Sequence, residues 1–163
     1  MLFFKGFLVP VKLIDTFEAM YGYITNDGTT FYIQTNKESP KYKIVTMDIS
    51  QPSKGLVELI KEHNKDVIEW VTCINDHFII NYIQDAKQVL KSFKMTGEHV
   101  YDFPVPTVGS VTSATGKRKH KELFYSFISF LHPGVIYHYN FETNNAQVFR
   151  RIEVNSMKFP QIF

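Results

Sequence analysis

Short β-type runs, cut by turn residues, recur along this chain in groups of four, and that repeat constrains the fold more than any single motif. The first group is Tyr21–Asn26, Thr30–Thr35, Tyr42–Asp48 and Leu56–Lys61. The second is Val67–Ile74, His77–Ile83, Gln88–Lys94 and His99–Val105, and the third is Val108–Ser113, Glu122–Phe130, Val135–Asn140 and Gln147–Val154. Second strands begin at 30, 77 and 122 and third strands at 42, 88 and 135, a spacing of 45–47 residues. Four strands at a period of about 40–50 residues make one blade of a β-propeller. The expectation is therefore an all-β fold: a β-propeller fragment of about three four-stranded antiparallel blades at 21–61, 67–105 and 108–154. Val11–Asp15 is expected to be one outer strand of a preceding blade.

Turn chemistry falls where this division needs it. Asn26-Asp27-Gly28 and Asn75-Asp76, types tolerant of positive φ, separate first from second strands. His132-Pro133-Gly134 separates the second and third strands of the last group, and Pro104 and Pro106 stand at the end of a fourth strand, where an edge tolerates a missing N–H. Both faces of Leu123–Ile128 are largely apolar, as are Phe78, Ile79, Ile80 and Tyr82, which predicts sheets sandwiched between neighbours. Arg150, Arg151 and Glu153 mark the last strand as an outer rim. The 15 Phe and 9 Tyr, in a chain that is 44% hydrophobic, supply the β propensity and a sizeable core.

A net charge of +2 is too small to argue for a phosphate-tracking surface, so no nucleic-acid partner is expected. Met1–Val9 is too short for a membrane span and lacks the flanks of a signal peptide, which makes it a strand or frayed end and excludes a membrane partner. The single Cys73 and the lack of an Asn-x-Ser/Thr acceptor point to a reducing, cytoplasmic location.

Candidate chemistry is sparse. No Gly-x-Ser-x-Gly elbow occurs; Val108-Gly109-Ser110-Val111 comes nearest, and Ser110 is read as an ordinary strand residue. Cys73, beside Trp70 in an apolar strand, is expected to be buried and inert. The histidines at 63, 77, 99, 120, 132 and 138 are dispersed without ligand spacing, so no metal or other cofactor is expected. The basic run Gly116–Lys121 could recognise an acidic partner, but Lys117, Arg118, Lys119 and Lys121 are expected to form a solvated, mobile hairpin tip and not a binding site. No catalytic, cofactor-binding or metal-binding residue is assigned.

Several stretches, taken in order, resemble the later propeller blades of the prolyl oligopeptidase family of serine peptidases. They are VKLID at 11–15, TNDGTTFYIQTNKESPKYKI at 25–44, HNKDVIEWVTC at 63–73, FYSFISFLHPGVIYH at 124–138 and VFRRIEV at 148–154. The resemblance implies that the propeller covers an α/β-hydrolase domain, which carries a Ser-Asp-His triad and cleaves short peptides after proline. Gln161-Ile162-Phe163 resembles the start of that domain, whereas residues 1–10 diverge and Asn155–Pro160 looks like an altered linker. No triad residue and no proline-pocket residue is carried over, and the chain is expected to be inactive as a peptidase by itself. Its edges are expected to be those of a truncated product, an alternative transcript or an incomplete gene model.

The leading functional expectation is gating and scaffolding: within the intact enzyme the blades restrict access of short proline-containing peptides to the hydrolase domain. The rivals are a non-catalytic module that pairs with another propeller and a non-functional truncation. Alone, the chain is expected to self-associate, because each blade face needs a neighbour.

Overall fold

The computed structural model describes residues 12–152, so the expectations for residues 1–10, for Val11 and for 153–163 lie outside the described residues. Twelve strands run in order: β1 (Tyr21–Asp27), β2 (Thr30–Thr35), β3 (Lys43–Asp48), β4 (Val57–Ile60), β5 (Val67–Ile74), β6 (His77–Gln84), β7 (Lys87–Lys94), β8 (His99–Phe103), β9 (Ser110–Thr115), β10 (Glu122–Ile128), β11 (Val135–Asn140) and β12 (Asn145–Arg151). They make three sheets, each a four-stranded antiparallel meander: β1–β4, β5–β8 and β9–β12. Among the described residues the only helical turn is a 3-10 turn at Pro52–Lys54.

Tight turns set the meanders. Asn75 and Asp76 both take positive φ (50° and 52°) between the paired Ile74 and His77, the geometry that matches the twist of flanking strands. Asp85 and Ala86 do the same between Gln84 and Lys87, with φ of 47° and 60°. At the first hairpin Gly28 carries the positive φ, and the Asn26 amide donates to the Gly28 carbonyl at 2.9 Å.

The sheets are joined by two shared cores. Tyr32, Ile44 and Ile60 of the first sheet pack with Ile68, Phe78, Ile80 and Tyr82 of the second. From the opposite face of that second sheet, Ile74, Ile79, Leu90 and Phe103 pack with Val111, Leu123, Tyr125, Phe127 and Tyr139 of the third. The middle sheet is thus covered on both faces, and five consecutive residues of β6, Phe78–Tyr82, are buried.

Two expectations change. Lys12–Asp15 is not a strand; Leu13 and Ile14 instead line a hollow with Val45 and Met47 over the outer face of β3. A strand exists only where its backbone N–H and C=O groups meet a ladder, and no neighbouring strand pairs with this segment. In β10, Leu123, Tyr125 and Phe127 are buried while Ile128 is exposed and Phe124 and Ser126 are half-buried. The third sheet is therefore covered on one face only among the described residues.

Candidate functional site

The basic run lies between β9 and β10, and its residues are not equivalent. Arg118 reaches out of the third sheet and grips the first hairpins of the other two. Its Nε donates to Asp76 Oδ1 at 2.5 Å, Nη1 to the Asn26 carbonyl at 2.7 Å and to Thr25 Oγ1 at 3.3 Å, and Nη2 to Asp27. Asp27 also accepts from the Tyr32 hydroxyl at 3.0 Å, which links the cluster to the core below. A planar fork of five donors suits this multidentate task, where a lysine would supply only a point charge.

The surrounding backbone supports the same convergence. Lys117 contributes its carbonyl, which accepts from Asn75 N at 3.4 Å and from His120 N at 2.9 Å. Gly116 lets the loop descend on the second sheet: a Cβ there would lie 2.7 Å from Ile74 Cγ2. The hydrogen bond to Asp76 is the main reason that the Arg118 pKa is raised further, so the guanidinium stays protonated. With its side chain 31% exposed, Arg118 is no freely solvated cation, and the expectation of a solvated, mobile hairpin tip fails for it. Lys121 pairs with Glu142 at the surface.

Cys73 lies on β5 opposite Phe78, facing the first sheet. Its Sγ stands 3.9 Å from Met95 Sδ, beside Thr25 and near Arg118. Burial pushes the thiol up to about 11, with the Arg118 charge acting in the opposite direction. The thiol is half-buried and protonated at neutral pH.

Ser110 begins β9 opposite Ile128 and sits on no strand-to-helix turn. The glycine before it serves packing, because a Cβ on Gly109 would come within 2.3 Å of the Ile128 carbonyl and 2.5 Å of the Phe127 ring. The histidines stay apart. His63 Nδ1 accepts from Asp66 N at 2.9 Å, His99 Nε2 meets Asp102 at 2.7 Å, and His138 stacks on Phe124 at 4.8 Å. His77 sits over its own turn, with Nδ1 2.5 Å from the Asn75 carbonyl. Among the described residues no group of three or more His, Cys, Asp or Glu side chains converges on a metal position.

One cleft of about 1150 Å³ opens between the first and second sheets, on the side of their fourth strands. Leu59, Ile60, Tyr82 and Phe93 form its apolar part, and Lys91 lies over the Tyr82 ring at 5.6 Å. Charges of both signs surround it, so it presents no single electrostatic preference.

Three four-stranded meanders, stacked through shared cores with their first hairpins gathered at one point, define a portion of a β-propeller. The chain belongs to the prolyl oligopeptidase N-terminal β-propeller family, whose model matches residues 5–151. Prolyl oligopeptidase A of Amanita bisporigera is 32% identical over 150 residues, which is 90% of this chain and 20% of that enzyme. A prolyl endopeptidase of Elizabethkingia miricola is 24% identical over 144 residues, 88% of this chain and 20% of the enzyme. The apo structure of prolyl oligopeptidase B from Galerina marginata superposes with a TM-score of 0.83 at 28% identity, over 88% of this chain and 21% of that one. The chain spans about a fifth of the length of the relatives it matches.

Proposed function

We propose that these blades act as the later part of the propeller of a prolyl oligopeptidase-type serine peptidase, where they restrict access of short proline-containing peptides to the hydrolase domain. The observation that carries this reading is the stack itself: a middle sheet covered on both faces and three first hairpins fixed to one arginine make a stiff wall. A wall of that kind excludes folded proteins by size and leaves the chemistry to another domain. The 163 residues contain no Gly-x-Ser-x-Gly elbow, and we assign them no peptidase activity of their own. The single Cys73 and the absence of an Asn-x-Ser/Thr acceptor fit a reducing, cytoplasmic setting for the role.

A chimera tests it. Residues 21–151 replace the matching blades of the Galerina marginata enzyme, and hydrolysis of a short fluorogenic proline peptide is compared with digestion of a folded protein. The chimera is expected to cleave the peptide and to spare the protein. Indiscriminate digestion, or loss of peptide cleavage in a folded chimera that still reacts with a fluorophosphonate probe, would overturn the gating role. The same probe is expected to leave the 163-residue chain unlabelled.

A further inference from the structure

We propose that Arg118 is a latch across the seam between the first and second sheets, and that its release opens the seam at Cys73 while the rest of the chain stays folded.

The seam has three unlike parts. On the side of the fourth strands it gapes as the cleft of about 1150 Å³, bounded where a Cβ on Gly97 would come 2.8 Å from the Leu59 carbonyl. The middle is held by the apolar core of Tyr32, Ile44, Ile60, Ile68, Phe78, Ile80 and Tyr82. At the hairpin tips the ties that bridge the two sheets run through Arg118: Asp76 on the second sheet, Asp27, Asn26 and Thr25 on the first. The arginine belongs to neither sheet, so both depend on a side chain delivered by the third. Its carboxylate partners are well exposed, Asp27 by 49% and Asp76 by 68% on the side chain, so water and salt reach the pair. Local opening is drawn from such places, where hydrogen bonds are solvated and little apolar surface is covered.

Cys73 makes the opening measurable. It is the only cysteine in the chain, it faces the first sheet just under the clamp, and it lies between Thr25 and Met95. The sign of the effect separates two roles for Arg118. If the guanidinium acted only through its charge, removing it would raise the thiol further and slow its reaction with a disulfide reagent. If it is a latch, removing it uncovers the sulfur and the reaction quickens.

The experiment follows reaction of the folded 163-residue chain with 5,5′-dithiobis(2-nitrobenzoate). Arg118→Met, which keeps an unbranched apolar stem, is expected to react about tenfold faster than the unaltered chain, the scale of losing a charge-assisted tie. Arg118→Lys falls between the two, and adding Asp76→Asn to Arg118→Met changes nothing further. Raising sodium chloride from 0.05 to 1 M quickens the unaltered chain but not Arg118→Met, because the Debye length falls to about 3 Å at 1 M. Leu123→Ala, which weakens the core between the second and third sheets, serves as a control for general loosening and is expected to react at nearly the original rate. Unchanged or slower reaction of Arg118→Met, or equal acceleration by Leu123→Ala, overturns the latch. Because it reads a thiol and no peptidase, the test stands or falls apart from the gating role.

Discussion

Arg118 and Lys119 are neighbours of like charge, yet they should respond differently to substitution. Arg118→Met removes donors that satisfy Asp76, Asp27 and the Asn26 carbonyl, and is expected to cost about 1–2 kcal/mol, a figure reduced for the exposure of the carboxylates. Lys119→Ser, a surface change, should stay within about 0.5 kcal/mol. Urea unfolding of both variants checks the contrast, and equal effects would refute the non-equivalence of the loop. Leu123 is fully buried between the second and third sheets, so Leu123→Ala should cost about 2–5 kcal/mol through lost burial and a residual cavity. Cys73 supplies a pH test: with its thiol pushed up to about 11, its alkylation rate should keep climbing through pH 10 instead of levelling off near 9.

Within the elements, close backbone approach predicts which glycine is indispensable. Gly109→Ala would force a Cβ against the Ile128 carbonyl and the Phe127 ring, and should destabilise by about 1–3 kcal/mol despite adding only a methyl group. Thermal unfolding followed by circular dichroism reads the loss. The same glycine explains why β9 starts at Ser110 and not at the expected Val108, since apolar alternation carries no mark of where the chain must turn inward. The second strands and the Asn75-Asp76 turn were legible because tight hairpins leave a local signature: β2 has the expected bounds, and β6 and β10 start at the expected His77 and Glu122 but end at Gln84 and Ile128. The outer strands of the first two sheets are shorter than their patterns, β4 only Val57–Ile60 and β8 ending at Phe103, because an edge is held by one neighbour and yields early; β12 begins two residues before its expected start. Lys12–Asp15 has strand-like residues but no ladder, and pairing is not written in a single run. The Arg118 cluster was invisible for a related reason. Its partners lie 42 and 91 residues away, and composition alone shows only a basic loop.

At the scale of the molecule, the outward faces of the first and third sheets carry exposed aromatic and aliphatic side chains, Tyr23 and Phe149 both at 62% and Ile128 at 42%. A blade face without a neighbour leaves apolar surface in water at roughly 25 cal/mol per Å². The 163-residue chain on its own is therefore expected to self-associate, with a sedimentation coefficient that rises with concentration; a sharp, concentration-independent 19.0 kDa species would contradict this. Blades of a propeller are commonly regarded as interchangeable copies, each a self-sufficient meander that duplication can multiply. The three-way grip on Arg118 breaks that equivalence. Its acceptors come from one unit and the next, its donor from the one after, so the units must follow in this order to be joined at their tips. Shuffling or duplicating them would preserve every sheet and still separate the arginine from its carboxylates, so the three units work as one ordered block and not three spare parts.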